Sequence, residues 1–331
     1  MRRSDEFRSF IQVVVAAAAL SACNSPAVGT DANHMGTDSG ADSGGPATPR
    51  VPPAHAGTAG AVAALSCAGT STEPAAGADV SITLDLIAFG QHGDRAPSTH
   101  LCFCPNNVIP MAALTATFTS CGTGCQDVTT DTSGHASVMA RANGWYAYRV
   151  FGHNGPTAGT HFLDSIQINE AAPASSGGTV QGNAVTFLTE NLILAAELLD
   201  LAPGTATIAG RLGDCAGDNL SNVVTRAFHA DGTEIFAGTE VTDTRFAYFD
   251  GAENPDASAT FTNTDGLYVV VNIPIMVGER IRIETWAYTG TDATGDAHRV
   301  GCEAVEAFPG GVSIVNVGPL RNDYAAGHPC H

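Results

Sequence analysis

Nine cysteines, eleven histidines and 33 acidic residues are the groups in this 331-residue chain able to do chemistry, and no lysine accompanies them: all 14 basic residues are arginine. Without lysine there is no Schiff-base amine, no phosphate-binding P-loop lysine and no Ser–Lys catalytic pair. The formal charge of −19 also excludes nucleic acid as a partner, because phosphates need a basic face. Cys102-x-Cys104 and Cys121-x₃-Cys125 have a spacing that four-thiolate zinc can use. Thiols two or four apart on a strand also share a face, so each pair can equally meet a facing strand as disulfides. Asp243, Asp250, Glu253, Asp256 and Asp265 crowd one stretch, where calcium would find several of the roughly six to eight oxygens it takes. No Asp-x-Asp-x-Asp-Gly loop is present, and solvated turn acids are the commoner use. The histidines are scattered singly, without a His-Glu-x-x-His pattern; His328 and His331 bracket Cys330 in a terminal tail. Trp145, Tyr146, Tyr148, Tyr248, Phe249, Tyr268, Trp286 and Tyr288 can stack on sugar rings, but their alternation along strand-like runs reads as core.

The first residues read as an address. Arg2, Arg3 and Arg8 precede Ile11 to Leu20, an apolar run of signal-peptide length, short of the ~20 residues a membrane span needs. It closes on Leu20-Ser21-Ala22-Cys23. This resembles the lipobox of bacterial lipoproteins. The resemblance implies cleavage between Ala22 and Cys23, a diacylglycerol on the Cys23 thiol and a fatty acyl chain such as palmitate on the new amine. Asn24 is not the Asp linked to inner-membrane retention, so the resemblance points to the outer membrane. The membrane is then a partner through acyl chains that contribute ~0.8 kcal/mol per buried CH₂. The alternative is an ordinary secretory peptide with an incidental Cys23.

From Cys23 to about Ala78 the chain is rich in Gly, Ala, Ser, Thr, Pro and Asp, with almost no aromatics. Such a segment buries too little apolar surface to offset its ordering entropy, and reads as a flexible tether. Asp42-Ser43-Gly44-Gly45-Pro46 within it matches the nucleophile signature of trypsin-like serine proteases. The mature chain offers only His34 upstream, so the match is taken as incidental. Ala61 to Leu65 is a short apolar patch expected to pack as a helical turn on the first domain.

Beyond Ala78 the runs become short and rich in Val, Ile, Thr and aromatics, as β-strands do. Val80 to Phe89 alternates for a half-buried strand. Thr130-Asp-Thr-Ser-Gly134, followed by Trp145 to Val150, recurs as Thr262-Asn-Thr-Asp-Gly266, followed by Gly278 to Ile283. The glycines take φ > 0 and the short polar residues bond back to the backbone, which makes each a turn between strands. Two copies of one β module are therefore expected. Between them Thr189 to Asp200 is the best helix candidate. Thr189 would cap it, Leu192, Ala195, Ala196 and Leu199 would face inward, and Pro203-Gly204 would open the second module.

The second copy, from Thr207 through Asp214-Cys215, Asn222 to Phe228, the Thr262 turn and Ile273-Pro274, resembles the carboxypeptidase regulatory-like domain, a transthyretin-like sandwich with an Ig-like, carbohydrate-binding-like fold. The resemblance covers about 204–320, and more weakly 79–170. It implies an all-β chain, two tandem sandwiches after a disordered tether, with no catalytic residues and no cofactor. An insertion at 231–260 and Met276-Val277-Gly278, where Pro-Pro-Gly is commoner, are departures. The expected organisation is a signal peptide at 1–22, a linker at 23–78, sandwiches at 79–188 and 204–331, and a helical junction at 189–203. In outline the module also resembles collagen-adhesin B-type sandwiches, whose intramolecular isopeptide bond has no amine donor in a chain without lysine.

With Cys23 lipidated, eight cysteines remain, an even count in an exported chain, which favours disulfides over metal. Nested antiparallel pairing predicts Cys102 with Cys125 and Cys104 with Cys121. Cys215 with Cys302 is expected in the second module, leaving Cys67 and Cys330 to close the folded region end to end. The function expected is a non-catalytic structural or adhesive role on the bacterial envelope, with an envelope protein as partner; the alternative is a carbohydrate- or peptidoglycan-binding module with a glycan as partner.

Overall fold

Alternation with period two builds the first strand. Along β1 (Asp79–Phe89) Val80, Ile82, Leu84, Leu86 and Ala88 turn inward while Ser81 and Phe89 stay exposed. The computed structural model describes residues 52, 56–57, 64–89, 94–110, 114, 121–154, 161–196, 199–237, 243–276, 278–289 and 297–331. Ala22, Cys23, the Ser43 motif and most of the tether lie outside them. The first module continues with β2 (His100–Cys104), β3 (Gln126–Thr129), β4 (His135–Arg141), β5 (Trp145–Val150), β6 (His153–Asn154), β7 (His161–Phe162), β8 (Ser165–Ala171) and β9 (Thr179–Val185). After helix α1 (Phe187–Ala196) come β10 (Thr205–Arg211), β11 (Val224–Phe228), β12 (Glu234–Ile235), β13 (Arg245–Phe249), β14 (Pro255–Asp256), β15 (Leu267–Pro274), β16 (Glu279–Ala287), β17 (His298–Ala307) and β18 (Val312–Val315).

The strands form two Ig-like sandwiches of matching topology. In the first, β4-β1-β9 faces β3-β2-β5-β8; in the second, β15-β10-β18 faces β12-β11-β16-β17. The first strand of each pairs antiparallel on one side and parallel on the other, β1 with β4 and β9, β10 with β15 and β18. The duplication holds bond for bond at the turns seen in the sequence. Leu86 N donates to Gly134 O and Leu212 N to Gly266 O, both at 2.9 Å. Ala96 N donates to Leu86 O and Leu220 N to Leu212 O, again at 2.9 Å. Thr130 Oγ1 accepts from Thr99 N (2.9 Å), as Thr262 Oγ1 accepts from Val223 N (3.2 Å). Both glycines are left-handed (φ 80° and 66°), and a Cβ would sit 2.9 Å from Leu86 O or 2.8 Å from Leu212 O. Only glycine satisfies both demands.

The modules are not beads on a string. β18 of the second pairs parallel with β8 of the first, Val312 to Val315 against Ser165 to Ile168. One nine-stranded sheet therefore runs through both, in the order β14-β13-β15-β10-β18-β8-β5-β2-β3. The 231–260 insertion supplies β13 and β14, which extend this sheet beyond β15. Leu101, Phe103, Tyr146, Tyr148 and Val150 face the first module's own core, while Cys102, Cys104, Ala147, Ile166 and Ile168 join the cluster that fills the second. The run Leu267-Tyr-Val-Val-Val271 is apolar throughout because it is covered on both faces.

Four expectations are corrected. All four disulfide pairings differ: the bridges are Cys67–Cys215, Cys102–Cys121, Cys104–Cys125 and Cys302–Cys330. The β2–β3 register, with Phe103 opposite Gln126, sets Cys104 directly across from Cys125, and Cys121 stands beside Cys102 with 5.3 Å between Cα atoms. Cys302 points to the outer face of β17, where it meets the tail at Tyr324 and Cys330, not the loop that holds Cys215. The tether ends earlier than Ala78. From Ala64 the chain is a strap bonded to the second module, with Ala64 N on the Asp214 carboxylate (3.1 Å), Cys67 bridged to Cys215, Gly69 N on Leu320 O (2.7 Å) and Glu73 N on Asp323 (2.7 Å). Leu65 packs into the second module's cluster rather than on the first domain.

The helix begins a residue pair early and faces another way. Thr186 caps it through Thr189 N (3.3 Å). Ile193 and Leu194 turn inward onto Ala247, Phe249 and Val269, Glu190 is buried and accepts from Thr207 Oγ1 (3.3 Å), and Leu192 is 57% exposed. The sheet face it lies on, widened by β13, sets that orientation.

Candidate functional site

Two groupings of side chains stand out. The first lies on the outer face of β11, β16 and β17. The register sets Arg226 opposite Glu284 and Phe228 opposite Arg282, so arginines and rings alternate on one face. Arg226 lies over the Trp286 ring at 4.5 Å and Arg282 over Phe228 at 4.2 Å. Each guanidinium also has an acid: Arg226 pairs with Glu234, and both Arg282 and Arg299 reach Glu284 Oε1 at 3.1 Å. Trp286 Nε1 donates to the same carboxylate (2.9 Å). The result is a face on which three guanidiniums share two carboxylates and stack on rings, suited to planar and amide groups. An open cleft of about 560 Å³ adjoins it, lined by Leu65, Ser66 and Ala68 of the strap and by Thr289, His298 and Arg299.

The second grouping is the junction, gathered by Arg321, which sequence reasoning missed. Arg321 Nη1 holds Glu73 of the strap (2.9 Å), and Nε faces Glu303 (3.9 Å) and Asp323 (3.7 Å). Its plane covers Trp145 of the first module (4.8 Å) and Tyr324 of the tail (4.6 Å). One cation thus ties strap, both modules and tail. A signal existed: it is the last arginine in the chain and the only one after Arg299. Burial pushes the Glu303 carboxyl up to about 7, with Arg321 pulling it back. Burial also raises Glu170, which accepts from Gln167 and from Asn316 of the second module (3.2 Å). Arg149, on β5, reaches Asp164 (3.1 Å) and lies over Phe308 of the second module (5.1 Å).

The sequence-derived candidates fall as follows. Ala22 and Cys23 lie outside the described residues. The eight remaining cysteines are all bridged, so Cys102, Cys104, Cys121 and Cys125 hold no thiolates for zinc. The acids serve turns and ion pairs: Asp243 meets Arg245, Glu253 meets Arg211, Asp250 accepts from Ala252 N and Asn254 N, and Asp256 from Ser258 N. Among the described residues no three His, Cys, Asp or Glu side chains converge as metal ligands. Tyr146, Tyr148, Tyr248, Phe249 and Tyr268 are core, whereas Trp145, Trp286 and Tyr288 are half-buried.

Three of the outermost strands, β4, β9 and β17, carry bonds on their free side. Gln126 pairs with both backbone groups of Met139 on β4 (2.6 and 2.8 Å), Tyr148 Oη bonds Asn183 of β9, and Leu320 N meets Val300 O on β17 (2.6 Å). Joining β8 and β18 to each other removes two further edges from strand addition. No helix among the described residues is long and apolar enough to cross a membrane.

No protein-family model matches the chain, and no curated protein does. Solved structures resemble it at low similarity. The TIE protein of Bacillus anthracis aligns at 11% identity over 73% of this chain and 34% of that one, TM-score 0.21, so the chain spans about a third of its length. A minor pilin of Streptococcus agalactiae aligns at 10% identity over 74% of this chain and 98% of that one, TM-score 0.21. A putative adhesin of Bacteroides thetaiotaomicron aligns at 8% identity over 76% and 93%, TM-score 0.17.

Proposed function

We propose that this chain is an outer-membrane lipoprotein, held by acyl chains on Cys23, whose twin carboxypeptidase regulatory-like sandwiches serve a structural or adhesive role without catalysis. The observation that supports the body's role is the continuous sheet through β8 and β18: it makes two modules one stiff piece and leaves the Arg226–Trp286 face outward. Such a face meets a partner protein through guanidinium and ring contacts, arginine and aromatic residues being enriched where proteins bind one another. It suits sugar stacking less, because a guanidinium already takes one face of Trp286 and of Trp145.

The anchor is tested by mass spectrometry of the exported protein. The mature N-terminus should be Cys23 carrying acyl mass, and Cys23→Ala should leave an unlipidated precursor; a wild-type N-terminus at Cys23 without acyl mass overturns it. The face is tested with Arg226→Ala and Trp286→Ala in whole protein applied to envelope proteins and to a glycan array. Loss of protein capture supports the reading. Glycan capture lost on the same changes replaces it with the carbohydrate-binding one.

A further inference from the structure

The strap and its disulfide do more than hold the N-terminal segment down. Cys67 and Cys215 are 148 residues apart in sequence but 5.9 Å apart between Cα atoms. Everything from Ala68 to Asp214, and so the whole first module from Asp79 to Val185 with α1, lies inside that covalent loop. The chain reaches its second module before its first. Gly57 N donates to Ser221 O (3.1 Å), Ala64 N to Asp214 (3.1 Å), and only at Gly77, whose N donates to Ala142 O (2.7 Å), does it enter the first sandwich.

We infer that Cys67–Cys215 is a tension bypass: pulling between the N-terminal tether and the C-terminus runs from Cys67 through the sulfurs to Cys215, and the first module's backbone carries none of it. Under such load the second module, between Cys215 and Cys302, is the part that extends, and Cys302–Cys330 shields the tail in the same way. The first module's surface stays folded while the second yields. The bypass follows from connectivity alone; its use in the cell rests on the Cys23 anchor proposed above.

The test is single-molecule extension of the full chain between a handle at its N-terminus and one after His331, which needs no lipid, so failure of the anchor and failure of the bypass are told apart. Oxidised wild-type protein should lack the contour of the first module altogether. The pair Cys67→Ser with Cys215→Ser should gain it. Of the 148 residues released, 21 stay held by Cys104–Cys125, which leaves 127. At ~3.3–3.6 Å per residue the gain is about 420–460 Å. Adding reductant to wild-type protein should give at least that gain, which keeps the test independent of whether the variant folds. A third arm moves the second handle to the exposed turn at Asn143. Tension then enters the first module directly, and oxidised protein should unfold there. Oxidised wild-type protein that already shows the long extension when pulled end to end overturns the inference.

Discussion

At the residue scale the junction acids give the protein a defined response to pH. The folded state holds the Glu303 proton up to about pH 7, whereas the ordinary value is 4.5, because burial of the carboxylate outweighs the pull of Arg321 and Arg280. Between those values the native state binds more protons than the unfolded chain. This contribution to stability is therefore full below 4.5 and is lost as pH rises through 7. His328, lowered to about 4 by burial and by Arg280 and Arg321, acts in the opposite sense below 6.5. A variant separates the two. Glu303→Gln should be more stable than wild type at pH 8 by an amount on the order of 3 kcal/mol, and the gap should fall below about 1 kcal/mol by pH 5 and close by about pH 4. Thermal unfolding of both proteins across that range decides it; a constant gap would show that Glu303 does not titrate as stated. The paired glycines give a second residue-scale expectation. Gly134→Ala and Gly266→Ala each place a Cβ within 3 Å of a carbonyl oxygen in a left-handed residue, and should each lose about 2 kcal/mol or more. Gly217→Ala, also left-handed but with open space around it, should lose about 1 kcal/mol, so urea midpoints should rank the three.

At the element scale the bridges differ in what they close. On the chain-entropy relation, Cys67–Cys215 with 148 residues contributes about 5 kcal/mol, Cys302–Cys330 with 28 about 3.5 kcal/mol, and Cys102–Cys121 with 19 about 3 kcal/mol. Paired Cys→Ala variants should lower the melting temperature in that order; a larger effect from Cys302–Cys330 would mean that packing of Tyr324 on β17 outweighs loop closure. The strand β18 makes a second case. Val312 N donates across the junction to Asp164 O (3.0 Å), and both sides of β18 are paired. Val312→Pro removes that donor in the middle of a nine-stranded sheet, where proline is not accommodated. Wild-type protein should unfold in one calorimetric transition and the variant in two, with the second module the less stable.

At the scale of the whole molecule, closed edges, shared sheet and strap work to one end. The first sandwich offers β8 and the second offers β18, and joining them removes from solvent the two strands most open to pairing with another chain. Arg321 then fixes the strap and tail over the joint, and the helix covers the face that β13 widens. Among the described residues, the arginine and aromatic face beside the strap lies outward, as do the exposed apolar side chains Phe187, Leu188 and Leu192 of the helix and Val108 and Met276 of loops.

The sequence by itself determined the modules. Val80 to Phe89 alternates because one face is core, and the Thr130 and Thr262 turns repeat because a left-handed glycine under a carbonyl and a threonine bonding back across the loop are local requirements. Local requirements are written in neighbouring residues. The same holds for the even cysteine count, which marks bridges without saying which. Tertiary structure alone decided the partners. Cys104 meets Cys125 because of a strand register, Cys302 meets Cys330 because the tail folds outside β17, and Leu192 faces outward because an inserted strand widened the sheet beneath the helix. Arg321 has three acids and two rings around it that lie up to 248 residues away in sequence. No spacing records contacts that exist only once two sheets have joined, because the energy that selects them comes from burial between distant segments.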